Sequence, residues 1–203
     1  MINDKNELQF YLFADMIMNR GYKNKSFTCK IKELITPDYI MDFLITLRKA
    51  EYYKNNDKMR YYYYLYKNKK LGIKLGFSIN GTELGYGCVI PHYGTIVIGG
   101  GNKIGNYCVL HTSTCITAGN KVIGNGLYLS TGAKLLKDIS IGDYVSVAAN
   151  TVVNSDVGDF CLIAGVPGKV IKTSSMWFKR DGVIFEERVK KVEKLKIEMK
   201  ISK

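Results

Sequence analysis

Histidine, proline and tryptophan are almost missing: the chain has two, three and one of them in 203 residues. With so little proline and no low-complexity tract, long disordered stretches are excluded. No run approaches the roughly 18 apolar residues that a membrane-spanning helix needs. The five cysteines, Cys29, Cys88, Cys108, Cys115 and Cys161, are odd in number and lack CxxC spacing. That excludes a disulfide framework and a cysteine-built metal site. His92 and His111 bring no carboxylate or thiol cluster at ligand spacing, so no metal is expected. No glycine-rich phosphate loop sits between a strand and a helix. Met1 to Lys5 is polar, without an apolar signal segment, and a cytoplasmic location with reduced thiols is expected.

Charge is plentiful but uneven. The net charge of +12 invites a nucleic-acid reading. Divided along the chain, residues 1–75 carry 15 basic and 8 acidic groups, residues 76–170 carry 5 and 5, and residues 171–203 carry 10 and 5. The middle is neutral and forms no cationic groove, so nucleic acid is not the expected partner. Glycine marks the same division, with 18 of 20 falling between Gly72 and Gly168.

The first third reads as helices. Asp4 to Asn19 spaces Leu8, Tyr11, Leu12, Ala14, Asp15 and Ile17 helically, with Arg20-Gly21 as a stop. After Pro37-Asp38, Ile40, Phe43, Leu44 and Leu47 recur at three and four residues. A third segment from Asp57 to about Lys70 holds the run Tyr61 to Tyr66. The run resembles a stacking platform for bases, but no RNA-binding strand pattern surrounds it, and packing against a neighbouring helix is the expected role. Past Ser174, Ile184, Val189, Val192 and Leu195 predict a last helix. Its alternating Glu186, Glu187, Arg188, Lys190, Lys191, Glu193 and Lys194 predict a solvated face.

The middle is periodic. Leu84, Ile90 and Ile96 stand six apart. After a shift of two, so do Ile98, Ile104, Leu110 and Ile116. After a step of seven, so do Ile123, Leu129, Leu135, Ile141, Val147 and Val153. Neither a helix nor an alternating strand has that period. A parallel β-helix of short strands does, each six-residue unit forming one side of a triangular coil with its aliphatic residue in the shaft. The next residue is often small (Gly85, Gly99, Gly105, Gly124, Ser130, Gly142, Ala148), as a corner with an unusual backbone angle would need. Cys88, Cys108 and Cys115 read as small apolar fillers. The expected architecture is mainly β, with an α-helical domain over residues 1–72, the β-helix over 73–173 and a helical tail over 174–203.

The residues Leu84 to Ile98, with Gly85-Tyr86-Gly87 leading to Pro91-His92-Tyr93-Gly94, resemble without a gap the active-site segment of hexapeptide-repeat acyltransferases. Ala164-Gly165-Val166-Pro167-Gly168-Lys169 resembles the signature closing their last coil. The closest resemblance within them is to the serine acetyltransferase branch, including relatives found with capsule and exopolysaccharide genes. It implies a left-handed β-helix, acetyl-CoA as co-substrate and a homotrimer, possibly a dimer of trimers, with sites shared between subunits. It also implies an O-acetyltransferase whose acceptor is L-serine or a sugar hydroxyl, with His92 as the catalytic general base. A catalytically silent scaffold is the reading outside enzymes.

The same resemblance places Pro91, Tyr93, His111 and Asn120 near the acceptor. Thr131, Ala133, Ala149, Asn154, Ser155 and Lys169 fall near CoA, with Lys172 as a second cation. Three positions depart from the branch. Pro91 stands where an aspartate contacts serine, Phe77 where an aspartate holds the histidine's tautomer, and Asn120 where a second histidine lies. Asn80, Glu83 or a backbone carbonyl is then expected to orient His92. His111, close to one coil beyond, either orients the substrate or bonds outside the shaft.

Overall fold

The computed structural model describes residues 2–23, 34–173, 179–180 and 182–201. Cys29 and the expected start of the tail at Ser174 lie outside them. Helix α1 (Lys5–Arg20) begins where the Asp4 side chain accepts from the Glu7 amide, and it stops at left-handed Gly21. Asp38 caps α2 (Tyr39–Asn56) in the same way, and Asp57 caps α3 (Lys58–Leu75). The third helix runs past the expected Lys70 because nothing breaks it before Gly76, φ 80°.

From Phe77 the chain winds into a parallel β-helix. Its first face stacks Phe77–Ile79, Ile96–Ile98, Thr114–Ile116, Lys134–Leu135 and Val152–Val153. The second stacks Glu83–Leu84, Lys103–Ile104, Val122–Ile123 and Ser140–Ile141. The third stacks Val109–Leu110, Tyr128–Leu129, Ser146–Val147 and Cys161–Ala164, and Val89 bridges to Val109 above them. Lys169–Thr173 then turns back antiparallel on Cys161–Ala164 and ends the stack. All thirteen periodic aliphatic residues are buried in the shaft, together with Cys88 and Cys108.

The glycines after those residues serve a different purpose from the one expected. Gly85, Gly99, Gly105, Gly124 and Gly142 have no left-handed φ. They are small because successive coils nearly touch: a Cβ on Gly105 would meet the Gly124 carbonyl carbon and oxygen at 2.6 Å. Beside them runs a ladder of side chains that each accept from the coil above. Tyr86 N donates to Asn106 Oδ1 (3.1 Å), Asn106 N to Asn125 Oδ1 (2.9 Å), Asn125 N to Asp143 Oδ1 (2.6 Å) and Asp143 N to Asp159 Oδ1 (2.8 Å). Each amide at this corner is thereby satisfied where the strand pairing stops.

The helices cover the shaft. Ile40, Phe43 and Leu44 of α2 join Leu75, Phe77, Ile79 and Ile96 in one core, with Phe43 edge-on to Phe77 at 5.1 Å. On the outer side of the third face, Val89, Val109 and Tyr128 pack against Phe10, Ala14 and Ile17 of α1 and against Phe185, Val192 and Leu195 of α4 (Phe185–Glu198). The alternating charges of α4 are not all solvated, contrary to expectation. Arg188 is buried and its Nη1 donates to Met18 O at 2.7 Å. Glu193 accepts from the Tyr86 and Tyr107 hydroxyls. The tyrosine run departs in part: half-buried Tyr64 stacks on Tyr53 of α2 at 5.6 Å as expected, but Tyr62, Tyr63 and Tyr66 are exposed.

One polar network ties α1 and α2 to the first coil. Arg48, fully buried, donates to both Asp15 oxygens (2.8 and 3.3 Å) and to the Leu84 and Gly85 carbonyls, each at 2.6 Å. Asp15 Oδ1 accepts from Cys88 N (3.0 Å), while Asn19 accepts from Ile90 N (3.2 Å) and donates to Cys88 O (2.7 Å). Burial alone would weaken proton binding at Arg48, but Asp15 more than offsets this and keeps the guanidinium charged. Removing one partner leaves the other charge buried and alone. Arg48→Met is therefore expected to cost about 3–5 kcal/mol in urea unfolding, against about 1–3 kcal/mol for Asn19→Ala. Equal and small losses would show that the network carries no weight.

Burial, and then the Glu193 carboxylate, push the Tyr86 and Tyr107 phenols above their ordinary value. A raised folded pKa means that the neutral phenol holds the contact. The stability it gives is complete below the ordinary tyrosine value of about 10 and is lost as pH rises beyond it. The urea midpoint is expected to fall as pH goes from about 9 to about 11, and to fall less in a Tyr86→Phe, Tyr107→Phe variant.

Candidate functional site

His92 stands at the corner between the third and first faces. The chain takes eight steps from Ile90 to Ile98 there, where the next coil takes six from Leu110 to Ile116. The two extra residues push Pro91-His92-Tyr93 outward as a short loop, and His92 and Tyr93 are exposed. Both ends are pinned. Ile90 N donates to Asn19, and Gly94 N donates to Leu75 O at 2.9 Å. Gly94 (φ 137°) presses on Thr112 of the next coil, where a Cβ would sit 2.9 Å from the threonine methyl. Among the described residues no hydrogen bond holds the His92 imidazole. Asn80 and Glu83, the expected orienting groups, lie elsewhere, lining a cavity of about 410 Å³ with Leu47, Lys54 and Asn68 under the helical cap.

The other candidates sort by corner. His111 follows Leu110, Thr131 and Ala133 follow Leu129, and Ala149 follows Val147, so all lie on the edge that carries His92. At about 4.8 Å per coil, Ala149 is about 14 Å along that edge from the coil of His92. Thr131 and Ala149 are exposed. Ala133 is fully buried, its amide bonded to Ser130 O and its carbonyl to Cys115 N, so its methyl fills the shaft. His111 is half-buried with its ring 5.1 Å from that of Tyr128.

Asn120, Asn154 and Ser155 sit on a different edge, between the first and second faces. Asn120 N is bonded to Asp138 there. Lys169 returns to the His92 edge through the closing turn, whose Gly168 N donates to Val152 O (2.7 Å) and whose Gly165 N donates to Thr151 Oγ1 (3.2 Å). Lys169 and Lys172 are exposed, and neither meets a carboxylate among the described residues. The described residues contain no cluster of three His, Cys, Asp or Glu side chains fit for a metal, and no helix long and apolar enough to cross a membrane. The corner ladder and the Asp15–Arg48–Asn19 network, which pins Ile90 two residues before His92, escaped the sequence reading. Gly-Asn and Gly-Asp pairs at coil spacing (Gly105-Asn106, Gly124-Asn125, Gly142-Asp143, Gly158-Asp159) were the available signal for the ladder.

No family model matches the chain. Serine acetyltransferase from Synechococcus elongatus is 34% identical over 103 residues, 47% of this chain and 42% of the relative. That of Bacillus subtilis is 30% identical over 108 residues, half of each chain. In sequence, about half of this chain is similar to serine acetyltransferases. The chain spans about half the length of these relatives. A solved Neisseria gonorrhoeae serine acetyltransferase superposes over 87% of this chain and 68% of its own, with TM-score 0.62 and 21% identity. The Brucella abortus serine acetyltransferase solved with coenzyme A covers 83% of this chain and 67% of its own, with TM-score 0.61 and 19% identity. At that identity these two speak for the fold, helices included. Phe77, where the resemblance implied an aspartate, is buried against Phe43 and offers no polar atom to the His92 imidazole.

Buried Cys88 and Cys108 are not candidate nucleophiles. A hydrogen bond to Cys108 and full burial push the Cys88 thiol well up. In the native protein at pH 8, iodoacetamide is expected to leave Cys88 and Cys108 unmodified while half-buried Cys115 and Cys161 react slowly. Peptide mass mapping before and after unfolding in urea checks this. Rapid native alkylation of Cys88 would contradict the buried placement.

Proposed function

We propose that the chain is an acetyl-CoA-dependent O-acetyltransferase in which His92 is the general base. The observation that carries this reading is the gap-free Leu84–Ile98 segment, which puts His92 on an exposed, doubly pinned loop. The same edge holds His111, Thr131, Ala149 and Lys169. An imidazole near neutral pKa is suited to the reaction. His92 takes the proton of an acceptor hydroxyl as that oxygen attacks the thioester carbonyl, and returns it to the departing thiolate. In this reading, backbone amides of a neighbouring coil would stabilise the oxyanion. The site's donors fit CoA in part. Exposed Lys169 and Lys172 offer charge to its phosphates, the Thr131 and Ala149 corners offer backbone to its pantetheine arm, and Asn154-Ser155 supply no cation.

Asn120, Asn154 and Ser155 occupy a different edge from His92. A threefold assembly would set one edge of each copy against a different edge of its neighbour, and a homotrimer with shared sites is the assembly we propose. Pro91 supplies no carboxylate for the amino group of serine, which favours a second reading of the acceptor as a sugar hydroxyl, as in capsule O-acetylation.

The test is release of CoA from acetyl-CoA with L-serine and with a panel of sugars and nucleotide sugars. His92→Ala is expected to lower kcat/KM by about 10²–10⁴-fold with whichever acceptor works. A variant within a few-fold of the parent would remove His92 from the mechanism. Silence with every acceptor, together with no binding of acetyl-CoA, would leave a scaffold.

A further inference from the structure

The tyrosine-rich face of α3 is built for something outside the chain. Asn68, Gly72 and Leu75 turn inward to the core. On the opposite side Met59, Tyr62, Tyr63, Tyr66, Lys70 and Ile73 fall within about 100° of one another on the helical projection, a single helical face. Met59 is 86% exposed, Tyr62 65% and Ile73 76%. From Met59 to Ile73 the stripe is about 21 Å long at 1.5 Å per residue. An apolar and aromatic face of that length is rare on a surface that meets only water.

Charge identifies the occupant. The helix carries Lys58, Arg60, Lys67, Lys69, Lys70 and Lys74 and not one carboxylate. On the helical projection, Lys67 and Lys74 flank the stripe on one side and Lys58 and Lys69 on the other. The Lys67 ammonium lies 4.6 Å from the Tyr63 ring centre, and that of Lys70 lies 4.7 Å from that of Tyr66. Asp57 caps the helix, and Asp42 of α2 lies beside Lys67 and Lys70. Neither lies on the stripe. A second copy of this face would bring like charges together, so a symmetric self-contact is disfavoured.

We propose that this face of α3 docks on an anionic phospholipid bilayer. Tyrosine rings and aliphatic ends settle at the headgroup level while the flanking lysines meet lipid phosphates. Amphipathic rings are suited to that depth, having an apolar body and a polar tip. The shaft and the His92 edge would then sit beside the membrane surface without entering it.

Flotation of the full chain with vesicles tests the idea. Phosphatidylcholine alone is compared with equal parts phosphatidylcholine and phosphatidylglycerol. Binding is expected only to the anionic vesicles, weakening as salt rises. The variants Tyr62→Ser with Tyr66→Ser, and Lys67→Glu with Lys70→Glu, change exposed side chains. Each is expected to lower the bound fraction about tenfold, with helicity by circular dichroism and oligomeric size unchanged. Failure to float with anionic vesicles, or flotation indifferent to both variants, would overturn the proposal. So would variants that change oligomeric size instead of lipid binding, which would make the stripe a contact between copies. Retention on a soluble polyanion that the tyrosine variant leaves intact, without lipid binding, would likewise overturn it.

Discussion

A stack of parallel coils has ends, and at an end the backbone groups that would pair with a further coil have no partner. The first coil of this protein leaves the Leu84 and Gly85 carbonyls, the Cys88 amide and carbonyl and the Ile90 amide facing upward. All but the Gly85 carbonyl, which is partly exposed, are buried where α1 and α2 close that end with apolar side chains. Asp15, Asn19 and Arg48 meet those groups, standing in for the missing strand. The arrangement holds only because Arg48 and Asp15 neutralise one another while each also serves the backbone, since a buried charge without both kinds of partner would cost more than it returns. Cap and shaft are therefore one folding unit. The amide of Ile90, fixed by Asn19, is also one of the two anchors of the His92 loop.

The shaft was legible because its constraint is local and repeated. One aliphatic residue per six must point inward, so the period could be read directly, and even the insertion beside His92 appeared as a shift of two between Ile96 and Ile98. The corners were half legible. Small residues were visible at Gly105 and Gly124, but their cause is contact between coils nineteen residues apart, a relation that a local reading mistakes for backbone geometry. The cap was not legible. Asp15, Asn19 and Arg48 are polar residues on helices, which by themselves read as surface, and only the shaft's unpaired end gives them a purpose. Arg188 and Glu193 repeat the lesson on α4, where alternating charge concealed one buried guanidinium and one carboxylate shared by two tyrosines.

The candidate site was legible as a position and not as an environment. A motif places His92 after Ile90, but the partner of an imidazole depends on which corners coincide in space. Phe77 illustrates the difference: its aromatic ring belongs to the seam between α2 and the first face, so that position has been given over to stability. Asn80 and Glu83, close in sequence and polar, turn toward the cavity beneath the helices. In the proposed mechanism, with those three positions committed elsewhere, an orienting contact for His92 would come from the acceptor, from a neighbouring copy, or from the loop itself.

The triangular section makes the second of these physically economical. A residue's edge is set by its place within the six-residue unit, so motif residues that fall on different edges cannot converge within one shaft, however close they lie in sequence. Asn120, Asn154 and Ser155 are separated in this way from His92, Thr131, Ala149 and Lys169. In the proposed trimer, a rotation that repeats the shaft about a parallel axis would lay one edge of each copy against a different edge of the next and so bring the two groups together. The helical flanks do not oppose such packing on charge grounds. The coils are neutral over residues 76–170, with five groups of each sign, while six cations of the N-terminal flank stand along α3 above the first coil. In the proposed trimer, neutral coils would approach one another side by side, and the cationic helix would lie at one end of the shafts.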